Sequence, residues 1–213
     1  MRALVIANGE RVSLGLLRQL AGESDFVVAA DGGFHHARAA GLIVDAVVGD
    51  LDSLGEEDYR ELGPGTVFRQ ADPDSTDLEK AVAHALARGA EQVAVTCAGG
   101  GRADHALANL SILVKNRGRG DLRVVDDRFE TMLVDGRVEL DDVPGTVVSL
   151  VSIGTCTGVT TTGMRWNLRD HTLEFSPYGV HNEIAHPPAT VSVKSGDLLL
   201  FRGRWVERHG RLG

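Results

Sequence analysis

The residues of this chain best suited to chemistry stand in four short clusters rich in Asp and Gly: Ala30-Asp31-Gly32-Gly33, Gly49-Asp50-Leu51-Asp52-Ser53, a run from Asp72 to Lys80, and Ala98-Gly99-Gly100-Gly101-Arg102-Ala103-Asp104-His105. In an extended segment residues two apart share a face, which places the Asp50 and Asp52 carboxylates on one side, about 7 Å apart between Cβ atoms. At an effective dielectric of about 20, two unit charges at that distance repel by roughly 2–2.5 kcal/mol. With no Lys or Arg adjacent, a divalent cation is the natural neutraliser, and a solvated turn is the alternative.

The other clusters each leave two readings open. Gly32 and Gly33 allow a tight turn with free N–H groups for an anion, yet Asp31 also serves as a plain helix cap. In Asp72-Pro73-Asp74-Ser75-Thr76-Asp77-Leu78-Glu79-Lys80, Thr76 and Glu79 fit a capping box. Asp77 is a candidate metal ligand and Lys80, one turn on, a candidate phosphate contact, although acids at a helix start are favoured by the dipole in any case. The three consecutive glycines before Arg102 make a candidate phosphate cradle, and Arg102 offers a bidentate fork. No Gly-Lys-Ser/Thr follows, so this is not a P-loop. His105 is read as packing at the helix start.

These clusters need elements to hold them. Up to about residue 130, short apolar runs at 3–7, 26–30, 46–48, 67–68, 92–96 and 122–125 alternate with helical stretches at 14–20, 33–40, 56–62, 77–87 and 104–114. Such alternation predicts an α/β domain over 1–130 built on a mainly parallel, Rossmann-like sheet, with ligands at the carboxyl ends of its strands. From residue 131 to 213 the helical period disappears. Strand-like runs at 137–140, 147–153, 159–162, 173–175, 189–193, 198–201 and 204–207, separated by turn residues, predict a small all-β sandwich domain.

The net charge of -8 is uneven: 21 acids and 14 bases lie in 1–130, against 9 and 8 beyond. An acidic balance argues against non-specific binding to nucleic acid or anionic membrane. The uncharged stretch 143–164 is too rich in Gly and Thr to span a bilayer. The apolar start is too short for a signal peptide, and Cys97 and Cys156 lack metal-ligand spacing, so a reducing cytoplasm is expected.

Together the clusters resemble the thiamine pyrophosphokinase, or thiamine diphosphokinase, family. That family shows an Asp-Gly-Gly turn, Gly-Asp-x-Asp-Ser, Thr-Asp-x-x-Lys, Gly-Gly-x-x-Asp-His and a late Gly-[Leu/Met]-[Lys/Arg]-Trp-x-Leu, then Ser-Asn. Here they stand as Asp31-Gly32-Gly33, Gly49 to Ser53, Thr76 to Lys80, Gly100 to His105, and Gly163-Met164-Arg165-Trp166-Asn167-Leu168. The resemblance implies transfer of the pyrophosphoryl group of ATP to the hydroxyl of thiamine, giving thiamine diphosphate and AMP, by a homodimer with shared active sites. It implies Mg²⁺ on Asp50, Asp52 and Asp77, with Asp31 and Asp104 orienting the substrate hydroxyl or accepting its proton. Gly32, Gly33, Ser53, Thr76, Lys80, Gly100, Gly101 and Arg102 would bind ATP. Trp166, His181 and Asn182 would bind thiamine, with Trp166 stacking on a ring or simply packing in a strand. His181 stands where the family's Ser precedes Asn.

Two competitors share these features. A pyrophosphokinase acting on a pterin alcohol would keep the metal and ATP groups, and a non-catalytic thiamine or nucleotide sensor would keep only the fold. A phosphatase of the haloacid-dehalogenase type is disfavoured, because its Asp-x-Asp pair follows the first strand rather than the third.

Overall fold

The computed structural model describes residues 1–206. It divides into two compact units, 1–127 and 128–213.

In the first unit, strands β1 (Arg2–Ile6), β2 (Phe26–Ala30), β3 (Ala46–Gly49), β4 (Val67–Arg69), β5 (Gln92–Thr96) and β6 (Asp121–Val125) alternate with helices α1 (Leu14–Gly22), α2 (Gly33–Ala39), α3 (Glu56–Glu61), α4 (Asp77–Ala87) and α5 (Ala103–Lys115). The strands pair in parallel in the order β4-β3-β2-β1-β5-β6. Their near-continuous apolar character follows from burial on both faces; every residue of β2 is buried. The helices supply the cover with amphipathic stripes, α1 through Leu16, Leu17 and Leu20 and α4 through Leu78, Ala81, Val82 and Ala85. Strand order reverses at β1, which lies between β2 and β5. A crevice opens at such a reversal, beyond the carboxyl ends of the strands.

The second unit contains β7 (Phe129–Leu133), β8 (Arg137–Leu140), β9 (Thr146–Thr162), β10 (His171–Leu173), β11 (Asn182–Glu183), β12 (Ala189–Ser192) and β13 (Ser195–Val206), all paired antiparallel. Pairing over the whole chain is therefore mixed rather than mainly parallel; the parallel expectation holds within the first unit. One core gathers Leu140 of β8, Leu150 and Val159 of β9, Val191 of β12 and Leu198 and Leu200 of β13.

Two pairs of expected strands are single long ones. β9 runs through 147–153 and 159–162 because Gly154 and Gly158 take positive φ within it, bending the strand without ending it. β13 likewise runs on through Gly203 past 198–201. Of the strand expected at 204–207, residue 207 lies outside the described residues. β7 and the two-residue β11 went unread, and β10 starts two residues earlier than the 173–175 run. No helix among the described residues is long and apolar enough to cross a membrane. Cys97 and Cys156 are free and buried.

Candidate active site

A cleft of about 860 Å³ opens at the carboxyl ends of the parallel strands, reached by Asn8 and Glu10 after β1, Asp31 after β2, Asp50 after β3, and Gly99 to Arg102 after β5. The start of α4 closes it with Thr76, Asp77 and Lys80. Three carboxylates converge here: Asp31, Asp50 and Asp77 each place an oxygen within 4.8 Å of the others. Gly49 makes the approach possible, since a Cβ there would stand 3.0 Å from both Asp31 Cβ and Asp77 Cγ.

Asp31 is 4% exposed, adopts φ 42°, and donates its N–H to Val48 O at 2.9 Å. Its Oδ1 is buried with no hydrogen-bond partner. A buried carboxylate oxygen without a partner is costly in an apolar setting, and Asp31, with the exposed Asp50 and half-buried Asp77 this close, makes an all-oxygen set that could hold a hard divalent cation. Lys80 supplies the adjacent positive charge: its Nζ lies 3.0 Å from Asp77 Oδ1, and its side chain is 5% exposed.

The structure does not bring Asp52 into this triplet. The i, i+2 argument presumed extended backbone, but Leu51 adopts φ 66° and buries its side chain, turning the chain after Asp50. Asp52 instead donates its N–H to Asp50 Oδ1 at 3.2 Å and accepts from Ser53 Oγ at 3.3 Å; both residues are exposed and neither lines the cleft. Gly32 and Gly33 also stand apart from it. A Cβ on Gly33 would overlap Ile6 O and one on Gly32 the Asn8 side chain, so these glycines let α2 start against the end of β1.

Thr76 caps α4, its Oγ1 accepting from Glu79 N and Glu79 Oε2 accepting from Thr76 N, both at 3.2 Å. Lys115, 2.7 Å from Glu79 Oε1, holds that carboxyl below its ordinary range. Gly100 and Gly101 take φ 73° and 59°, and a Cβ on Gly100 would overlap Glu10. Arg102 faces the cleft but grips Asp104 through two bonds of 3.1 and 2.6 Å. That grip holds the Asp104 carboxyl at a pKa of about 2 while the pair is intact. His105, read as a packing residue, lines the cleft.

Sequence reading gives no site role to Asn8, Glu10 and Asn109, nor to Asp72 and Ser75 within the 72–80 run, all of which also line it. Asp72 receives Asp74 N–H and Ser75 Oγ–H, which lower its pKa. The signal for Asn8 and Glu10 was their place after the first strand, which becomes informative once β1 is known to sit at the reversal of strand order.

In the second unit, Trp166 is 56% exposed and firmly held. Asn182 grips its backbone at both ends, accepting from Trp166 N at 3.2 Å and donating to Trp166 O at 2.7 Å. Arg165 lays its guanidinium 4.9 Å from the indole centroid and is paired with Glu183. His181 adopts φ 67° and donates its N–H to Ser149 Oγ at 2.9 Å.

The family model for "Thiamin pyrophosphokinase, catalytic domain" matches residues 17–125, and that for "Thiamin pyrophosphokinase, vitamin B1 binding domain" matches 137–198. This chain belongs to the thiamin pyrophosphokinase family. It is 27% identical over 206 residues to the thiamine pyrophosphokinase of Bacillus subtilis (strain 168), covering 93% of this chain and 96% of that protein. The crystal structure of thiamin pyrophosphokinase from Geobacillus thermodenitrificans superimposes with a TM-score of 0.81 at 26% identity, over 95% of this chain and 97% of that one. The Bacillus subtilis thiamine pyrophosphokinase structure does so with a TM-score of 0.82 at 24% identity, over 95% and 99%, a likeness of fold. The catalytic-domain match covers all three converging carboxylates, and the vitamin B1 match covers Trp166, His181 and Asn182.

Proposed function

We propose that this chain transfers the pyrophosphoryl group of ATP to the hydroxyl of thiamine, giving thiamine diphosphate and AMP. The observation that carries the reading is the convergence of Asp31, Asp50 and Asp77 on a cleft at the reversal of strand order, in a chain matched by both family domains. The all-oxygen donor set and the partnerless Asp31 Oδ1 fit Mg²⁺. Bound there, Mg²⁺ supplies neutralisation of the phosphate charge as the bond to the leaving AMP breaks.

The chain's own groups do the positioning. Gly99 to Gly101, together with Lys80, are placed to hold phosphate oxygens, and Arg102 joins them by exchanging the Asp104 carboxylate for phosphate. The thiamine hydroxyl oxygen bonds to the β-phosphorus of ATP while the bond from that phosphorus to the α–β bridging oxygen breaks. AMP leaves with the electron pair. Asp31 and Asp104 are the two carboxylates that would orient the substrate hydroxyl or take its proton, Asp104 once Arg102 has exchanged it for phosphate. Asp52 and Ser53 lie in the loop after Asp50, outside the lining of the cleft. Trp166 offers its face to a flat ring of thiamine. Asn182 serves that face by fixing the Trp166 backbone, and His181 borders it. A homodimer with shared sites completes the reading, and two buried free thiols fit a reducing cytoplasm.

Purified protein with ATP, Mg²⁺ and either thiamine or hydroxymethylpterin, scored for AMP release, tests this. AMP with thiamine is the expected result. AMP with the pterin alone would reassign the acceptor, and none with either across several pH values and metals would leave a binding protein. Size-exclusion chromatography with light scattering tests the dimer.

A further inference from the structure

We propose that Asp58 is a positioning residue for the carboxylate cluster, acting by clasping α3 to α2. The proposal rests on reading Asp31, Asp50 and Asp77 as a cation site.

Helix α3 has six residues and no buried apolar stripe; the one residue it buries is Asp58, at 6% exposure, while Glu56, Glu57 and Glu61 face solvent. An element docked through a carboxylate instead of a hydrophobic face needs partners for that charge. They come mostly from α2. Arg38 donates to Asp58 Oδ1 at 2.6 Å, and His35 Nε2 lies 3.0 Å from Oδ2. Gly55 N donates to Oδ2 at 2.9 Å, capping α3. The His35 hydrogen bond, followed by the Gly55 N–H and the charges of His35 and Arg38, outweighs burial and holds this carboxyl below its ordinary range.

The clasp joins two segments that each begin at a cluster aspartate. The first turn of α2 is bonded to Asp31, Phe34 N donating to Asp31 O at 3.1 Å. The loop leading to α3 starts at Asp50, whose N–H donates to Asp77 Oδ1 at 3.2 Å, and ends at Gly55. Asp58 thus closes a ring from Asp31 through α2 to the far end of the Asp50 loop. Within the loop Leu51 is buried and Leu54 packs against the core; Asp58 adds the polar fastening at its far end, and without it the Asp31 to Asp50 spacing that a cation requires is less closely set. Outer partners of metal ligands act this way, at a typical cost of about 10–100-fold in affinity.

The test uses the full chain and its Asp58→Asn and His35→Gln variants, with Lys194→Met, which breaks an exposed ion pair to Asp170 in the second unit, as the control. Two quantities are read: the Kd for Mg²⁺ by calorimetry without nucleotide, and amide hydrogen exchange over residues 50–55. For Asp58→Asn we expect a Kd raised about tenfold or more and faster exchange confined to 50–55 and the start of α2. His35→Gln, which keeps a donor and removes the ring, should give a smaller change of the same kind, and Lys194→Met none. A folded Asp58→Asn with Kd within twofold of the parent and unchanged exchange overturns the proposal; if that variant does not fold, the same result for His35→Gln does. If the parent chain binds no Mg²⁺, the cation reading falls separately. The exchange arm then decides the clasp: faster exchange sustains it, and unchanged exchange overturns it.

Discussion

The candidate sites of the two units use polar side chains in opposite ways. In the α/β unit Asp31, Asp50 and Asp77 are crowded together with one buried lysine beside them and an Asp31 oxygen lacking any partner. In the β unit the polar groups near Trp166 satisfy one another: Asn182 holds the backbone, and Glu183 holds the Arg165 that lies on the indole. What is left exposed there is more than half of Trp166. Unsatisfied charge marks the place where chemistry happens, whereas satisfied polar groups around an exposed ring mark a preorganised surface for binding.

The contrast breaks most sharply at the carboxylates. Asp31→Asn or Asp77→Asn should lower kcat at least about a hundredfold while the fold survives, because each removes a ligand at nearly constant volume. Asp52→Asn should stay within about threefold, since Leu51 turns that side chain away from the cluster. Steady-state kinetics under saturating Mg²⁺ checks both; a large loss at Asp52 with little at Asp31 would return the metal site to the pair expected from i, i+2 spacing.

Next in size is Gly49→Ala. The new Cβ would stand 3.0 Å from Asp31 Cβ and Asp77 Cγ, tighter than ordinary contact, so the carboxylates must part. We expect about a tenfold to hundredfold loss of activity with a higher Mg²⁺ requirement. Trp166→Ala belongs to the other unit and should differ in kind. It is expected to raise KM for thiamine about tenfold, with kcat far less affected and Trp166→Phe recovering part of the loss. An equal fall in kcat would show that this face takes part in the transition state.

The same contrast explains what could be read from the sequence. The α/β unit was legible because parallel strands buried on both faces are apolar runs, and because the acids that converge on its cleft stand where those runs stop, as at Asp31 and Asp50. The side-by-side placing of Asp50 and Asp52 fails for a local reason: nothing in Gly49-Asp50-Leu51-Asp52 announces that Leu51 adopts a left-handed conformation and buries its side chain. Asn8 and Glu10 were missed because their value depends on strand order, a non-local property. The β unit was less legible because glycines that look like strand ends, Gly154, Gly158 and Gly203, lie inside long bent strands. For Asn182 the sequence shows an amide but not the Trp166 backbone that it grips.

The smallest effect sharpens the comparison within one element, α4, which carries Asp77 at its start and His84 in its last turn. His84 packs 4.4 Å from the Phe68 ring and 6.1 Å from Phe26, with Arg88 over both phenylalanines and its own Nε2 buried without a partner. Burial, and then the Arg88 charge, push its pKa below 6.5. The unfolded chain therefore binds a proton at His84 more readily than the folded one, so stability rises with pH in that window. The full contribution is present above pH 6.5, declines as pH falls through 6.5 toward the lower folded value, and then levels off. His84→Leu removes the titration and leaves Asp77 and Lys80 in place. The fall in Tm between pH 7.5 and 5.5 should accordingly be a few degrees smaller in the variant than in the parent, measured by calorimetry in both. Equal falls would mean that the aromatic end of α4 tolerates the charge, and that partnerless polar atoms in this unit matter only at the carboxylates.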